Sequence, residues 1–459
     1  MNQFDDVIIG FGKGGKTLAG ALAQAGRKVA LIERDAGMYG GTCINVACIP
    51  TKSLEHSARI SAAAGGTFAE KSERYRLAVV EKRRLTSMLR QKNYDKAVSA
   101  GVTVITAAAS FVDAHTVQAS YADGSMDLLR AERFFLNTGS QPFLPPIEGL
   151  SSSQYVYTSE TLLEREELPK RLAIIGGGYI GLEFSSYFAN FGSEVTVIQD
   201  GESFIPREDG EIAQVVLNHL TTRGIQVLRS TAIQSIQDVE GQVILHLNTP
   251  DGAKSLAADA ILVATGRRPN VQDLNLSAAG VELTERGAVR VDEHLHTSAP
   301  HIWAMGDVAG GLQFTYISLD DFRIVKSQLL GDGSRTTANR GAVPYTVFLD
   351  PPLSRVGMTE QEALQKGFSI QVARLSSSAV PKAHVLQQPA GMLKVIVDAK
   401  TQYILGAHFY CAESQEMINL IKLCMDAKLP YTVLRDGIFN HPTMSEALND
   451  LFSTVKGVE

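Results

Sequence analysis

Two cysteines five positions apart, Cys43 and Cys48, are the residues with the clearest potential for chemistry. They lie in the segment Gly40-Gly41-Thr42-Cys43-Ile44-Asn45-Val46-Ala47-Cys48-Ile49-Pro50-Thr51-Lys52. At this spacing we expect the two sulfurs to lie about one helical turn apart, where they could form a strained disulfide. A helix N-terminus lowers the pKa of a nearby cysteine and favours its thiolate. Such a pair can accept two electrons as a disulfide and attack an oxidised substrate as a dithiol.

A structural zinc half-site is the alternative interpretation of the same two cysteines. Zinc requires two further ligands. The remaining cysteines, Cys411 and Cys424, lie far along the chain and lack a Cys-x₂₋₄-Cys spacing. We therefore expect no metal site, and we expect Cys411 and Cys424 to be small buried residues of a hairpin and a helix, since free cysteine is often fully buried.

A glycine-rich turn near the N-terminus predicts a dinucleotide site that would supply these electrons. The turn, Gly10-Phe11-Gly12-Lys13-Gly14-Gly15, follows a predicted strand at 6–9 and opens a predicted helix ending near residue 25. Gly10, Gly12 and Gly15 allow a tight turn and close approach of the backbone to a pyrophosphate. Glu33 ends the next predicted strand, 28–33, where an acid accepts a hydrogen bond from a ribose 2′-hydroxyl.

The same pattern begins again 166 residues later, at Gly176-Gly177-Gly178-Tyr179-Ile180-Gly181. Predicted strands at 172–175 and 194–198 flank a predicted turn and helix at 178–190. The acid position holds Gln199, which neither repels a 2′-phosphate as Glu would nor binds one as an Arg cluster would. Arg207 is a distant candidate for that phosphate, and a neutral bond from Gln199 to the ribose is the alternative. The repeat predicts a second dinucleotide-binding domain of the same kind.

The other predicted elements complete the organisation. Long helices are expected over 55–99, strand-like runs continue to residue 137, and prolines at 142–146 mark a crossover. After residue 338 a hairpin is predicted from strands 393–398 and 403–410. Thr359 and Glu362 form a predicted capping box, and 413–427 has helical periodicity. Residues 339–459 are therefore expected to form a separate α+β domain.

Composition limits the classes of function. The 459 residues are 44% hydrophobic and 20% charged, and the net charge is −6. An acidic balance argues against a nucleic-acid or anionic-membrane partner. No apolar run approaches the roughly 20 residues of a membrane span, and no basic leader precedes the first strand. We expect a cytoplasmic protein with no membrane partner.

Two dinucleotide folds with this cysteine segment between them closely resemble the class I flavin-dependent pyridine nucleotide–disulfide oxidoreductases, which include glutathione reductase, lipoamide dehydrogenase and mercuric reductase. The resemblance covers nearly the whole chain. It extends to four more segments, Asn137-Thr138-Gly139-Ser140, Ala264-Thr265-Gly266-Arg267-Arg268-Pro269-Asn270, Ala304-Met305-Gly306-Asp307-Val308 and His441-Pro442-Thr443-Met444-Ser445-Glu446.

Within this family the sequence is similar to a bacterial subgroup associated with resistance to reactive chlorine. The similar segments are Met38-Tyr39-Gly40-Gly41, Gly310-Gly311-Leu312-Gln313-Phe314-Thr315-Tyr316-Ile317-Ser318-Leu319-Asp320-Asp321 and Pro351-Pro352-Leu353-Ser354-Arg355-Val356-Gly357-Met358-Thr359. We expect no N-terminal metal-binding domain, and the tail at 451–459 has no cysteine pair, unlike typical mercuric reductases and the cysteine-tailed thioredoxin reductases. Asn440 stands where many lipoamide dehydrogenases have alanine.

The resemblance implies a fold class and a domain plan. The fold is expected to be α/β, with two Rossmann-like dinucleotide-binding domains plus a C-terminal α+β dimerisation domain. The FAD-binding domain is expected to be discontinuous, comprising 1–148 and 267–338. The NAD(P)-binding domain is expected at 149–266 and the dimerisation domain at 339–459.

The same resemblance implies roles for individual residues. FAD would be held by Gly10, Gly12, Gly15, Glu33, Gly41, Thr42, Thr138, Gly139, Asp307 and Lys52. NADH or NADPH, as co-substrate, would be held by Gly176, Gly178, Tyr179, Gly181, Glu183, Gln199 and Gly266. Tyr179 would cover the flavin where nicotinamide enters. Lys52 and Glu183 would pair beside flavin N5, and a helix starting near Phe314 would direct its positive end at the flavin.

The catalytic residues implied are Cys43, Cys48, His441, Glu446, Lys52 and Glu183. Cys48 would lie against the flavin and Cys43 would attack the substrate. His441, oriented by Glu446, would serve as acid and base at the cysteines of a partner subunit, so a homodimer is expected. The implied substrate is a small oxidant, either a hypohalous-type species such as hypothiocyanous acid or copper(II). Two alternatives remain open, a dihydrolipoamide or low-molecular-weight disulfide reductase and a flavin redox sensor with negligible turnover.

Overall fold

The computed structural model describes residues 2–455. Met1 and residues 456–459 lie outside the described residues. Residues 456–459 are the end of the cysteine-free tail considered above. The N-terminal part comprises β1 (Asn2–Ile9), α1 (Lys13–Gln24), β2 (Val29–Glu33), α2 (Thr42–Asn45), α3 (Cys48–Ala64), α4 (Phe68–Ser99), β3 (Thr103–Thr106), β4 (Ala108–Asp113), β5 (Thr116–Ser120), β6 (Met126–Leu136) and β7 (Ser140–Pro142).

The next part repeats the first in outline. It comprises β8 (Val156–Thr158), β9 (Arg171–Ile175), α5 (Tyr179–Phe191), β10 (Glu194–Ile198), α6 (Gly210–Thr222), β11 (Gln226–Leu228), β12 (Ala232–Val239), β13 (Gln242–Thr249), β14 (Gly252–Ala258) and β15 (Ala260–Val263). The chain then returns to the first part through β16 (Arg267–Pro269), β17 (Ile302–Ala304) and α7 (Thr315–Leu330).

The two parts carry the same sheet plan. The parallel strands of the first run β3-β2-β1-β6-β17, and β4, β5 and the start of β6 form an antiparallel meander. The second has parallel strands in the order β11-β10-β9-β15-β8 and the meander β12-β13-β14. Both parallel sheets are built from apolar runs that are almost entirely buried, as expected when helices cover both faces.

The C-terminal part is an antiparallel sheet with helices against it. Its elements are β18 (Tyr345–Val347), β19 (Leu353–Gly357), α8 (Glu360–Gln365), β20 (Ile370–Ser376), α9 (Pro381–Val385), β21 (Met392–Asp398), β22 (Ile404–Tyr410), α10 (Ser414–Asp426), α11 (Thr432–Arg435) and α12 (Ala447–Ser453). The strand order is β18-β19-β22-β21-β20. Two nucleotide-binding sheets and this third sheet confirm the predicted fold class, while the exact domain boundaries stay a prediction.

Most predicted elements are present within one to four residues of their expected ends. The hairpin β21–β22 and the helix α10 are found, and Thr359 and Glu362 make the reciprocal hydrogen bonds of a capping box at 3.1 and 2.7 Å. Cys411 and Cys424 are buried as predicted. Within residues 2–455, no helix combines the length and the apolar character needed to cross a membrane.

One local prediction is correct in distance and wrong in secondary structure. The two cysteines lie close together, as expected, but not on one continuous helix, because α2 ends at Asn45 and α3 begins at Cys48. The side-chain amide of Asn45 donates to the carbonyls of Tyr39 and Gly41, both at 3.0 Å, and Arg90 donates to its oxygen. Such side-chain bonds to the backbone compete with helical continuation. Cys43 and Cys48 therefore face each other across a break between two helices.

Candidate active site

A continuous cavity of about 2220 Å³ connects both glycine turns with the two cysteines. Small-molecule sites usually enclose roughly 300–1,000 Å³, so this cavity has room for more than one ligand of that size. The turns follow β1 and β9, at the carboxyl ends of parallel strands, where open α/β sheets bind their ligands. Two dinucleotides meeting end to end fit this arrangement.

Asn137 closes the first glycine turn so tightly that only glycine fits there. A Cβ on Gly10, which has φ +98°, would lie 2.4 Å from the Asn137 carbonyl oxygen. A Cβ on Gly12 would lie 2.3 Å from the Asn137 side-chain oxygen. That oxygen accepts a hydrogen bond from the backbone N–H of Gly15 at 2.8 Å. The turn is thus shaped for close backbone approach by a phosphate.

Two half-buried acids in the cavity wall fit the hydroxyl groups of FAD. Glu33 accepts a hydrogen bond from the backbone N–H of Phe11 at 3.0 Å. Asp307 accepts a hydrogen bond from the side-chain hydroxyl of Ser140 at 2.7 Å. Burial is the main influence on both carboxyls, and it raises the pKa of each. Ribose and ribityl hydroxyls would supply the donors that a buried carboxylate needs.

The remaining predicted FAD residues gather around the same region. Gly41 has φ +83°, and a Cβ there would lie 2.8 Å from Gly12 Cα, so the cysteine segment rests directly on the first turn. Thr138 donates its hydroxyl to the carbonyl of Asn270 at 2.7 Å. Thr42 and Gly139 also line the cavity. The structure brings all the predicted FAD residues to the cavity except Gly15, whose backbone supports the turn.

The second turn is open on the side that faces the cavity. A Cβ on Gly176 would lie 2.5 Å from the Ala264 carbonyl oxygen, and a Cβ on Gly181 would lie 2.1 Å from the Gly176 carbonyl oxygen. A Cβ added to Gly178 or to Gly266 would have no atom within 4 Å. Gln199 donates its amide to the carbonyls of Gly201 at 2.8 Å and Ser203 at 3.0 Å. Its amide nitrogen is therefore engaged within its own loop.

The two cysteines of the pair differ in the direction of their pKa shifts. None of the four cysteines is in a disulfide, and Cys43 and Cys48 are close enough to share a hydrogen bond. The hydroxyl oxygen of Thr315 lies 3.5 Å from Cys48 Sγ. The hydrogen bond from Cys43, opposed by burial and assisted by Thr315 and Lys52, holds the pKa of Cys48 below its usual range. The same hydrogen bond is the main cause that raises the pKa of Cys43, and burial is the second cause. These surroundings favour the thiolate at Cys48 and the thiol at Cys43.

Lys52 and Glu183 form an ion pair at 2.6 Å, as the resemblance implies. Glu183 also accepts the backbone N–H of Phe348 at 2.9 Å, and the Lys52 ammonium lies 4.6 Å from the centre of the Phe348 ring. The pair thus joins α3, α5 and the segment after β18. It lines the cavity near Cys48, where a cation can influence a bound flavin.

His441 and Glu446 are paired but stand apart from the cysteines of their own chain. The Nδ1 of His441 lies 2.8 Å from Glu446, and the His441 side chain is 69% exposed. Neither residue belongs to the cavity wall. One chain by itself therefore does not complete the predicted set of catalytic residues.

Several contacting residues were not predicted as site residues. Thr315 and Phe348 touch the redox centre, Asn137 shapes the first turn, and Glu208 accepts the Tyr179 hydroxyl at 2.6 Å. Asn137 and Thr315 lie in segments that carried the resemblance, which is a usable signal. Glu208 and Phe348 give none, because their types are common and their partners are distant in sequence. No group of three or more His, Cys, Asp or Glu residues within 2–455 is arranged to hold a metal ion.

Comparison with known proteins agrees with this geometry. The profile of the pyridine nucleotide-disulphide oxidoreductases matches residues 4–321, and the profile of their dimerisation domain matches residues 343–452. The probable pyridine nucleotide-disulfide oxidoreductase RclA of Escherichia coli is 49% identical over 457 residues, covering 99% of this chain and 100% of the relative. A mercuric reductase of Staphylococcus aureus is 33% identical, covering 97% and 81%.

A solved structure extends the comparison to three dimensions. It is described as the Cu(II) complex of HOCl-induced flavoprotein disulfide reductase RclA from Escherichia coli. The TM-score is 0.93 at 48% identity, with 99% of this chain and 100% of that chain covered.

Proposed function

Because the chain belongs to the pyridine nucleotide-disulphide oxidoreductase family and is a flavoprotein disulfide reductase, we propose that it reduces a small oxidant. Electrons would pass from NADH or NADPH through FAD to the Cys43–Cys48 pair. The oxidant is a hypohalous-type species, with hypothiocyanous acid as the first candidate, or copper(II). This activity would defend the cell against oxidative stress.

The unequal pair of cysteines at the junction of both glycine turns carries the proposal. Gly10, Glu33 and Asp307 would hold FAD, which would supply the redox link between the nicotinamide and the Cys43–Cys48 disulfide. The lowered pKa of Cys48 then keeps one sulfur as a thiolate beside Lys52 and Thr315, while Cys43 retains its proton. A base must remove that proton before Cys43 attacks, and His441 of the partner subunit is suited to this task.

The step with hypothiocyanous acid balances without a further reactant. Cys43 sulfur attacks the sulfur of the oxidant and releases its oxygen, which leaves as water after taking up protons. The Cys48 thiolate then attacks the Cys43 sulfur and displaces thiocyanate. One thiol, one thiolate and one hypothiocyanous acid thus give a disulfide, thiocyanate and water, and the dithiol is oxidised by two electrons.

Two observations support a small oxidant. The relative with 49% identity matches over its full length, and its solved structure is described as HOCl-induced and as a Cu(II) complex. A small oxidant also needs little binding surface beyond the thiol itself.

Homodimer formation is proposed on the match of residues 343–452 to the family's dimerisation domain.

The test is steady-state consumption of NADH and of NADPH with a panel of acceptors. The panel contains hypothiocyanous acid, copper(II), lipoamide and glutathione disulfide. We expect the highest kcat/KM with hypothiocyanous acid or copper(II), and loss of at least about 100-fold in Cys43→Ser, because the attacking sulfur is absent. Highest activity with lipoamide or glutathione disulfide would identify a disulfide reductase of low-molecular-weight substrates instead. Negligible turnover with every acceptor would identify a redox sensor.

A further inference from the structure

Glu208, Tyr345 and Arg355 gather around Tyr179 at the second glycine turn. Glu208 lies in the loop between β10 and α6, and Tyr345 begins the edge strand β18. Arg355 lies on the neighbouring strand β19, directly opposite Tyr345. All four residues belong to the cavity wall. The group therefore joins the second nucleotide-binding part to the C-terminal sheet beside the proposed nicotinamide position.

One carboxylate oxygen holds both phenols. The hydroxyls of Tyr179 and Tyr345 each donate to Oε1 of Glu208 at 2.6 Å, and the two hydroxyl oxygens are 3.2 Å apart. The ring centroids of the two tyrosines are 5.6 Å apart. Burial, and next the Glu208 carboxylate, raise the pKa of both tyrosines. Both phenols therefore remain protonated and act as donors.

Glu208 and Tyr345 are held in place by contacts that do not involve Tyr179. The Glu208 residue is 6% exposed, and the Tyr345 ring stacks on Phe314 with centroids 5.7 Å apart. Arg355 lies 3.5 Å from the Tyr345 hydroxyl and pairs with Glu362 at 2.7 Å. Tyr179, at the first position of α5, and Tyr345 are both half-buried. Because Phe314 and Arg355 hold Tyr345 without Tyr179, we expect rotation of the Tyr179 side chain to leave Glu208 and Tyr345 in place.

The second carboxylate oxygen of Glu208 favours the position in which Tyr179 donates to Glu208. Oε2 is buried and has no hydrogen-bond partner within the described part of the chain. A buried carboxylate with few donors is unfavourable, because its lost hydration is not replaced. Removing the Tyr179 hydroxyl would leave Glu208 with one phenol donor in place of two. The carboxylate therefore attracts Tyr179 back to its position.

We propose that Glu208 and Tyr345 form a latch that holds Tyr179 over the flavin position and controls entry of the nicotinamide. The inference rests on the proposed function in that it takes Tyr179 as the residue covering that position. Entry of the nicotinamide requires the bond between Tyr179 and Glu208 to break. When the latch is closed, it excludes oxygen and water from the site. Glu208 and Tyr345 are positioning residues that act through Tyr179.

The experiment uses the purified holoenzyme with NADH, NADPH and dissolved oxygen, so it does not depend on the identity of the oxidant substrate. Stopped-flow absorbance gives the Kd of the nicotinamide and the limiting rate of flavin reduction. An oxygen electrode gives oxygen-dependent consumption of NADH and NADPH. Glu208→Gln keeps the size of the side chain and removes its charge, and Tyr345→Phe removes one hydroxyl.

We expect Glu208→Gln to lower the Kd by on the order of tenfold and to raise oxygen consumption, because a weaker acceptor releases Tyr179 more readily. Tyr345→Phe should act in the same direction with a smaller effect. Tyr121→Phe is the matched control. Its hydroxyl donates to the Asp127 carboxylate at 3.0 Å outside the cavity, so both measurements should equal those of the wild type.

A double-mutant cycle tests whether the latch acts through Tyr179. Once Tyr179→Phe has removed the hydroxyl, adding Glu208→Gln should change the Kd by less than about twofold. Additive effects in the double variant, or a Glu208→Gln enzyme with the Kd of the wild type, would overturn the latch while leaving flavin reduction intact. A wild-type flavin that neither NADH nor NADPH reduces would overturn the proposed function and the latch together.

Discussion

At the scale of single residues, Cys43 and Cys48 are distinguished by their surroundings and not by their type. Cys48 is the first residue of the 17-residue helix α3 and receives hydrogen bonds from Cys43 and Thr315. A helix N-terminus and such donors stabilise a thiolate. Cys43 lies in the four-residue helix α2, keeps its proton and donates a hydrogen bond to Cys48. The two sulfurs are therefore prepared for different steps.

The first prediction follows from this difference. Cys43→Ser should leave a Cys48 thiolate against oxidised flavin, which is seen as a long-wavelength charge-transfer band, and Cys48→Ser should abolish the band. The serine hydroxyl introduced at this position can replace the donor that Cys43 provides, and Thr315 and Lys52 still lower the pKa of Cys48. The band should therefore persist as the pH falls below the ordinary thiol pKa of about 8.5 and disappear only as the pH falls through the lowered value. Absorbance spectra recorded from pH 4 to pH 9 measure this.

Cys424→Ser is the matched control for these two variants. It replaces a buried cysteine in α10 and should retain both the spectrum and the turnover of the wild type. Full reduction of oxidants by both Cys43→Ser and Cys48→Ser would contradict the dithiol mechanism and favour direct reaction at the flavin.

The second prediction concerns Gln199 and the choice of nicotinamide. Its amide donates to the Gly201 and Ser203 carbonyls, and a carboxylate would be repelled by the same oxygens. Gln199→Glu should therefore turn its charge toward the ribose and disfavour a 2′-phosphate. We expect the ratio of kcat/KM for NADH over NADPH to rise at least about tenfold. Gln214→Glu, on α6, makes the same change of charge as a control, and an unchanged ratio in Gln199→Glu would show that another residue selects the cofactor.

At the scale of elements, the turn between β1 and α1 illustrates how backbone geometry replaces side-chain chemistry. Asn137 follows β6 and fills the space behind Gly10 and Gly12, so the turn and two strands support one another. Its amide also donates to the Met305 carbonyl at 2.6 Å, which ties β17 to the same point. A side chain added to the turn must displace this support or occupy the space of the pyrophosphate.

The third prediction tests the turn through its cofactor. The wild type should release about one FAD per chain on heating, as one such fold binds one dinucleotide. Gly10→Ala should lower that content to less than about a tenth, because its Cβ would meet backbone at 2.4 Å and alanine disfavours φ +98°. Gly12→Ala should lose less FAD, since its nearest atom belongs to a side chain. Absorbance of the released flavin measures all three.

Gly20→Ala, inside α1, is the control for the glycine variants. The nearest atom to its added Cβ is 3.9 Å away, and alanine is favoured over glycine in a helix by roughly 1 kcal/mol. Its FAD content should equal that of the wild type. Normal FAD content in Gly10→Ala would contradict the assignment of this turn to FAD.

At the scale of the whole molecule, the roles proposed for His441 and Glu446 place a requirement on assembly. His441 is hydrogen-bonded to Glu446 and exposed, outside the cavity that contains the chain's own cysteines. An isologous two-fold dimer exchanges the same surface in both directions and would give two composite sites. Each site would then contain Cys43 and Cys48 of one subunit and His441 of the partner subunit.

The fourth prediction is complementation between inactive subunits. Cys43→Ser and His441→Ala homodimers should each be inactive with the oxidant. After exchange of equal amounts, half of the dimers are mixed and each mixed dimer has one intact site, so about a quarter of wild-type activity should return. Activity is measured after subunit exchange has been verified by a mass tag. A mixture that stays inactive, or a stable monomer with full activity, would contradict the shared site.

The sequence alone determined the features that depend on local spacing. The glycine turns, Glu33 at the end of β2 and the pair Cys43–Cys48 each lie within a short segment, where residue type and interval directly set the chemistry. The same holds for the Thr359–Glu362 capping box and for the buried Cys424. The helix break between the two cysteines was missed, because it depends on bonds from Asn45 and Arg90 and not on helical periodicity.

Only the tertiary structure decided which distant residues meet. Lys52 and Glu183 are 131 positions apart, and Tyr345 reaches Glu208 across 137. Thr315 reaches Cys48 across 267. Each contact depends on how elements from distant parts of the chain pack together. A single sequence specifies the types of these residues, but the distances between them arise from the burial of apolar surfaces, such as the cluster in which Leu54 of α3, Leu172 of β9 and Leu353 of β19 are buried together.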